Sequence, residues 1–169
     1  IPNPDHFFEQ AIKLIQPPAK GAPRQVDLRR AISAAYYGVF HFILQQAAAE
    51  FVGATPQFRA SPIYTLAYRS IDHMTLRKLC DDVKKSTLPD KLKNYVPRGG
   101  FDDAVKNFAA AVGQLQEIRH SADYDPSPKF KASDVNTVIA TARSAVHRFR
   151  DANRDHQRTF VALLLFKGR

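Results

Sequence analysis

One cysteine, Cys80, is present in 169 residues. A lone thiol excludes an intrachain disulfide and any zinc site built on cysteines, and it fits a reducing, cytoplasmic setting. On the third helical segment, beside Leu79, it reads as a small buried hydrophobe rather than a nucleophile. Long apolar runs are also lacking. The longest clean one is Phe160–Phe166, far short of the roughly 20 residues that cross a bilayer. Residues 31–54 are apolar-rich, but Ser33, His41, Gln45, Gln46 and Glu50 interrupt them at helical spacing. There is no phosphate-cradling glycine loop and no dinucleotide turn; Gly99-Gly100 reads as a loop. Neither His73 nor His120 has a second histidine four residues on, so the helical metal-ligand spacing is missing. No metal and no cofactor are expected. The chain begins Ile-Pro-Asn-Pro, without an initiator Met or a signal-peptide pattern, which is consistent with residues missing upstream.

What is present is ordinary globular material carrying an unusual charge. The length suits a single domain spanning 1–169. Hydrophobic residues make up 44% and charged ones 24%, a balance that argues against disorder. Twenty-five Lys and Arg face sixteen Asp and Glu, a net +9. Such an excess either favours polyanionic partners such as RNA, DNA, nucleotides or anionic membrane surfaces, or belongs to a soluble protein that happens to be basic. Between Arg143 and Arg169 there are seven Lys or Arg and two acids, so more than half of the excess lies at the C-terminal end.

No segment alternates at period two, and proline and glycine punctuate a series of helical patterns. The expected elements are a helix over Asp5–Gln16 stopped by Pro17-Pro18, and a long one over about Arg24–Val52 closed by Gly53 and Pro56. A third helical region over about Ser61–Ser86 carries a break near Asp72. Residues 87–100 are expected to form a loop. A fourth helix covers about Phe101–Asp123, and a fifth starts at Ser133, as N-cap, and runs to at least Phe149. The fold class is therefore all-α, an antiparallel four- to five-helix bundle. The segment Thr159–Phe166 is apolar all round, so it must be buried on several faces. We expect the tail, 151–169, to pack across a homodimer or partner interface, the competing placement being a groove between its own helices.

Wheel positions at about 100° per residue define the faces. In the fifth helix Val135, Val138, Ile139, Ala142, Ala145, Val146 and Phe149 form a core stripe, leaving Arg143, His147, Arg148 and Arg150 outside it. That outer row is either a solvated face or a phosphate-contacting ridge. In the second helix Leu28, Ile32, Ala35, Tyr36, Val39, Phe40, Phe42 and Ile43 read as core. Asp27, Arg30, Ala34, Tyr37, His41 and Gln45 share a narrow polar arc. This arc suits either a phosphate or nucleotide, with His41 able to titrate near neutral pH, or a hydrogen-bonded seam against a neighbouring helix. The fourth helix has Val105, Phe108, Ala109, Val112, Leu115 and Ala122 on its apolar arc, and Arg119 and Asp123 fall inside that arc. A charge there is costly unless paired. Asp123, one turn on, could pair with Arg119, and His120 lies at the flank; the arrangement is either a structural ion pair or an anion site.

The run Asp27-Leu28-Arg29-Arg30-Ala31-Ile32-Ser33-Ala34-Ala35-Tyr36-Tyr37-Gly38-Val39-Phe40-His41, with the later Arg119-His120-Ser121-Ala122-Asp123-Tyr124, resembles the HEPN family of small helical-bundle domains. The resemblance covers most of the chain in order, on short motifs. It implies a HEPN-like bundle, frequently homodimeric and often linked to toxin–antitoxin or defence systems. Many members are metal-independent ribonucleases; others are non-catalytic partners of nucleotidyltransferase proteins. The ribonuclease signature is Arg, four to six residues, then His. Arg119 matches the arginine and His120 the polar residue that follows it, but Tyr124, Asp125 and Pro126 stand where the distal histidine belongs. A tyrosine, with an ordinary pKa near 10, is a poor base at neutral pH. The expected site is thus Arg119 for phosphate and His120 and His41 as proton carriers. Tyr37 and Tyr124 would orient or stack, Asp123 would position Arg119, and Arg30, Arg143 and Arg150 would bind RNA or nucleotide. The spacing Arg150…His156 also fits formally, on a highly polar segment. The alternative is a non-catalytic protein-interaction module, or the partner of a nucleotidyltransferase-type antitoxin.

Overall fold

Prolines start helices in this chain as well as ending them. In the computed structural model, which describes residues 1–166, Pro4, Pro56 and Pro62 each sit in the first turn of a helix, behind the capping side chains of Asn3, Thr55 and Ser61. A proline there forfeits no hydrogen bond, because first-turn N–H groups have no intrahelical partner. The described residues form helices α1 (Pro4–Leu14), α2 (Gln25–Val52), α3 (Pro56–Arg59), α4 (Pro62–Arg69) and α5 (His73–Val83), followed by α6 (Asp90–Lys93), α7 (Asp103–Tyr124), α8 (Ala132–Asp151) and α9 (Arg154–Leu165). No strand occurs among them. The fold is all-α.

The boundaries follow local chemistry. Helix α1 stops at Leu14, short of the expected Gln16, because the residue before a proline is driven out of the helical region. The break near Asp72 separates α4 from α5: Asp72 Oδ1 accepts the Thr75 N–H at 2.6 Å and opens the new helix. Residues 87–100 are loop except for the single turn α6. The last long helix begins earlier than expected. Its N-cap is Lys131, not Ser133, because the Asp134 carboxylate reaches back to the Lys131 N–H at 3.2 Å and fixes the first turn there.

Consecutive long helices run antiparallel. Gln45 of α2 donates to the Pro2 carbonyl while Phe8 lies against Gly38, so α1 and α2 oppose each other. The start of α2 meets the end of α7, where Ser33 bonds Asp123. Helices α2 and α8 consequently point the same way, with Phe42 against Phe149. Gly38 is required where it stands: a Cβ there would lie 2.5 Å from Phe8 Cε1, and Phe8 is buried. Its absence lets α1 close onto α2.

All the expected core residues of α2, α7 and α8 are buried. Their centre is aromatic, with Phe108, Phe149 and Phe160 at centroid separations of 4.7, 5.6 and 5.7 Å in edge and tilted arrangements. Phe160 belongs to the tail. With Val161 and Leu164 it buries one face of α9 in the chain's own core, which is the competing placement, a groove between its own helices. Phe166 stays 55% exposed beside Phe51. Of the tail segment 151–169, residues 167–169 lie outside the described residues. No helix of the described residues is long and apolar enough to cross a membrane.

Candidate functional site

Arg119 occupies the junction of α7 with the middle of α2. Its side chain is 15% exposed, as the apolar arc of α7 requires. Nε lies 2.6 Å from Asp123 Oδ2, one turn on, without the N–H pointing along that line. Nη2 donates to the Tyr37 hydroxyl at 3.0 Å. The guanidinium also lies over the rings of Tyr37, Tyr124 and Tyr36, at 5.4, 5.6 and 5.9 Å. The second oxygen of Asp123 accepts the Ser33 hydroxyl at 2.5 Å. A charge on a core-facing arc is tolerated here because a carboxylate and three ring faces replace the water it has lost.

Below this cage lie two imidazoles. His41 pairs its Nδ1 with the Tyr68 hydroxyl and stacks on Phe7 at 4.8 Å. His73, the first residue of α5, sets its Nδ1 2.8 Å from the Tyr36 hydroxyl and its ring 3.9 Å from that of Phe40. Burial lowers the pKa of both histidines; proximity to His73 lowers His41 further, and the Arg119 charge lowers His73. Both are therefore neutral at pH 7. Burial, with Tyr64 nearby, pushes the Tyr68 hydroxyl up to about 12, and burial raises Tyr36 as well. Both phenols stay protonated. The arrangement holds a fixed cation beside two neutral imidazoles, each with its Nδ1 engaged by a tyrosine.

The sequence-derived residues divide among three places. Arg119, Asp123, Tyr37, Tyr124 and His41 share the cage and its floor. His120 does not join His41: it is exposed, with its ring 4.9 Å from that of Tyr124. The two expected proton carriers are thus held on different partners. Arg30 is exposed, and its neighbour Arg29 is the engaged one. Arg29 donates to the carbonyls of Ala122, Asp125, Pro126 and Pro128, closing the C-terminal end of α7. Arg143 and Arg150 line a separate cavity between α1 and α8. His156, the formal match after Arg150, accepts the Asp102 backbone N–H at 2.8 Å, which ties the start of α7 to α9.

The polar arc of α2 is a seam: His41, Tyr37 and Gln45 bond Tyr68, Arg119 and Pro2 in turn. Sequence reasoning missed His73 and treated Tyr36 as core alone. The available signal was the Asp72-His73 pair at a helix start, which places a titratable ring in a first turn. Among the described residues no three His, Cys, Asp or Glu side chains come together to hold a metal ion. No family model, curated protein or solved structure matches the chain.

Proposed function

We propose that the chain is a HEPN-like helical bundle that binds RNA or a nucleotide, in the cytoplasmic toxin–antitoxin or defence setting the resemblance implies. A homodimer and a nucleotidyltransferase-type antitoxin partner belong to the same reading. The observation that carries it is that the two segments on which the resemblance rests meet around one arginine. Ser33 and Tyr37, from the first segment, bond Asp123 and Arg119, from the second. That residues 82 positions apart, one in each half of the motif, also touch is what supports this reading. In this reading Arg119 presents its remaining donors to a phosphate, with Tyr124, 65% exposed, beside it as the stacking surface.

The alternative is a non-catalytic protein-interaction module. It is favoured by one observation: Arg119 is already engaged by Asp123 and Tyr37, as a structural joint would be. The deciding experiment measures metal-free cleavage and fluorescence-anisotropy binding of a mixed RNA pool by wild type and by Arg119→Ala, with circular dichroism and a melt as fold controls. The proposal expects salt-dependent binding that Arg119→Ala weakens about tenfold in a folded variant; cleavage lost in that variant would extend the proposal to ribonuclease chemistry. No RNA binding by wild type overturns the proposal and leaves the module; equal binding by both overturns Arg119 as the binding site.

A further inference from the structure

Two cavities each present three or more lysines or arginines, and they differ in how those charges are met. One, of about 410 Å³, presents Lys84, Lys85, Lys93 and Lys106. Each has an aspartate three residues before it: Asp81, Asp82, Asp90 and Asp103, at 2.8, 2.6, 2.6 and 3.8 Å. Its field is largely cancelled. The other, of about 570 Å³, lies between the start of α1 and the C-terminal half of α8 and presents Arg143, Arg148 and Arg150 with His147. Among the described residues none of these three guanidiniums is paired with a carboxylate. Arg148 bonds only the Ser144 hydroxyl, at 3.3 Å, and Arg150 lies over the Phe42 ring at 5.1 Å. Asp151 pairs with His147 instead, at 2.6 Å.

We propose that this groove docks the phosphodiester backbone of RNA, apart from the Arg119 cage. The proposal rests on the RNA reading above and names where the backbone is held. Uncompensated guanidiniums offer planar donor forks that fit phosphate oxygens. From Arg143 to Arg150 the helix rises about 10 Å, longer than one phosphate and enough to meet successive phosphates of a strand. The groove therefore fits a polynucleotide better than a single phosphate. Phe8 in its lining is buried, and the exposed groups are three guanidiniums and the His147 ring, so cationic donors dominate the groove. The contact is with phosphates and is indifferent to base sequence. Asp5, on the α1 side of the groove, repels the strand and directs it onto the α8 wall.

The test is anisotropy of a labelled 20-nucleotide uridine RNA between 50 and 200 mM salt. Wild type is compared with Arg143→Gln/Arg148→Gln/Arg150→Gln and with Lys85→Gln/Lys93→Gln/Lys106→Gln, which removes the same charge from the compensated cavity. The proposal expects the arginine variant to reduce the slope of log affinity on log salt by about 2, at about 0.7 for each phosphate no longer neutralised, while the lysine variant changes it by much less. Because Arg150 packs on Phe42, the double variant Arg143→Gln/Arg148→Gln provides a second readout with an expected reduction of about 1.4. Equal reductions in the arginine and lysine variants, or wild-type slope in the arginine variants, overturn the groove and leave RNA binding standing. Absence of binding by wild type overturns both.

Discussion

Replacing Asp123 with alanine tests whether Arg119 is a structural joint. The substitution strips the counter-charge from a guanidinium 15% exposed and one of two acceptors from the buried Ser33 hydroxyl. Breaking a fully buried ion pair by removing one partner costs about 3–5 kcal/mol, whereas a fully exposed pair is worth about 0–1. The two side chains here, 15% and 22% exposed, sit nearer the buried limit. The three tyrosine faces remain as cation–π partners and offset part of the loss. The expected net cost is about 2–3 kcal/mol, nearly all of it from the stranded guanidinium, because the Ser33 hydroxyl can still donate to the Arg29 carbonyl at 3.2 Å. For a chain of this length that is a fall in Tm of about 5–10 °C. The assay is urea unfolding followed by circular dichroism, read as a lower midpoint at constant slope. Arg119→Met and the double variant complete a cycle, and a coupling of about 1–2 kcal/mol is expected because the double variant leaves no unpaired charge. A cost for Asp123→Ala below about 0.5 kcal/mol, or strict additivity, would refute the joint. Because the melts need no RNA, the cycle separates Arg119's structural role from any role in binding.

Two further outcomes follow from the same geometry. The folded-state pKa values of His41 and His73 lie below their ordinary one, so below about pH 6.5 the unfolded chain binds more protons and stability falls as pH falls. Each full unit of depression corresponds to about 1.4 kcal/mol. The loss begins above the range in which the hydrogen-bonded carboxylates Asp72 and Asp125 titrate, and urea midpoints from pH 7.5 to 5 should flatten in His41→Asn/His73→Asn; an unchanged profile would show that these rings titrate normally. Gly38→Ala is expected to lower stability by about 1–2 kcal/mol, since overpacking against Phe8 outweighs the gain in helix propensity. Gly113→Ala, whose Cβ would meet only the flexible Lys84 Nζ at 3.2 Å, should be neutral or stabilising by up to about 1 kcal/mol. The two melts together check that the cost comes from helix approach and not from glycine as such.

Periodicity suffices for the faces that meet the core. The stripe from Val135 to Phe149 is buried residue for residue, because a 3.6-residue repeat fixes which side chains share a face whatever lies opposite. Boundaries are legible wherever a proline or an aspartate acts within three residues, as at Asp72. They are not where the deciding group is unexpected: Asp134 captures the Lys131 N–H and moves the start of α8 two residues ahead of Ser133, a better intrinsic cap. The apolar circumference of the tail is met on one face by a groove between the chain's own helices, while Ala162 and Phe166 remain exposed. Phe160, Val161 and Leu164 occupy that groove.

The candidate site shows the opposite limit. Each helix announces its own anomaly, Arg119 inside an apolar arc or His41 inside a polar one, and a wheel gives the direction of each side chain relative to its axis. Which anomalies face one another depends on helix order and approach, and these are set by contacts between residues far apart in the chain. His73 reaches the site because Asp72 starts α5 where it does and Tyr36 meets it from α2. The first fact is legible in Asp72 itself, but the second has no expression in the residues flanking His73. Arg29 and Arg30 make the point most sharply. They are adjacent and chemically identical, yet one closes the end of α7 through four carbonyls and the other is exposed. A one-residue rotation of about 100° separates them, and no local pattern states which of the two will find the carbonyls. The charge of +9 divides in the same way: its sign, its C-terminal excess and the aspartates three residues before Lys84, Lys85, Lys93 and Lys106 are sequence properties, whereas the pairing of Asp151 with His147 rather than with Arg148 is a property of where the side chains fall in space.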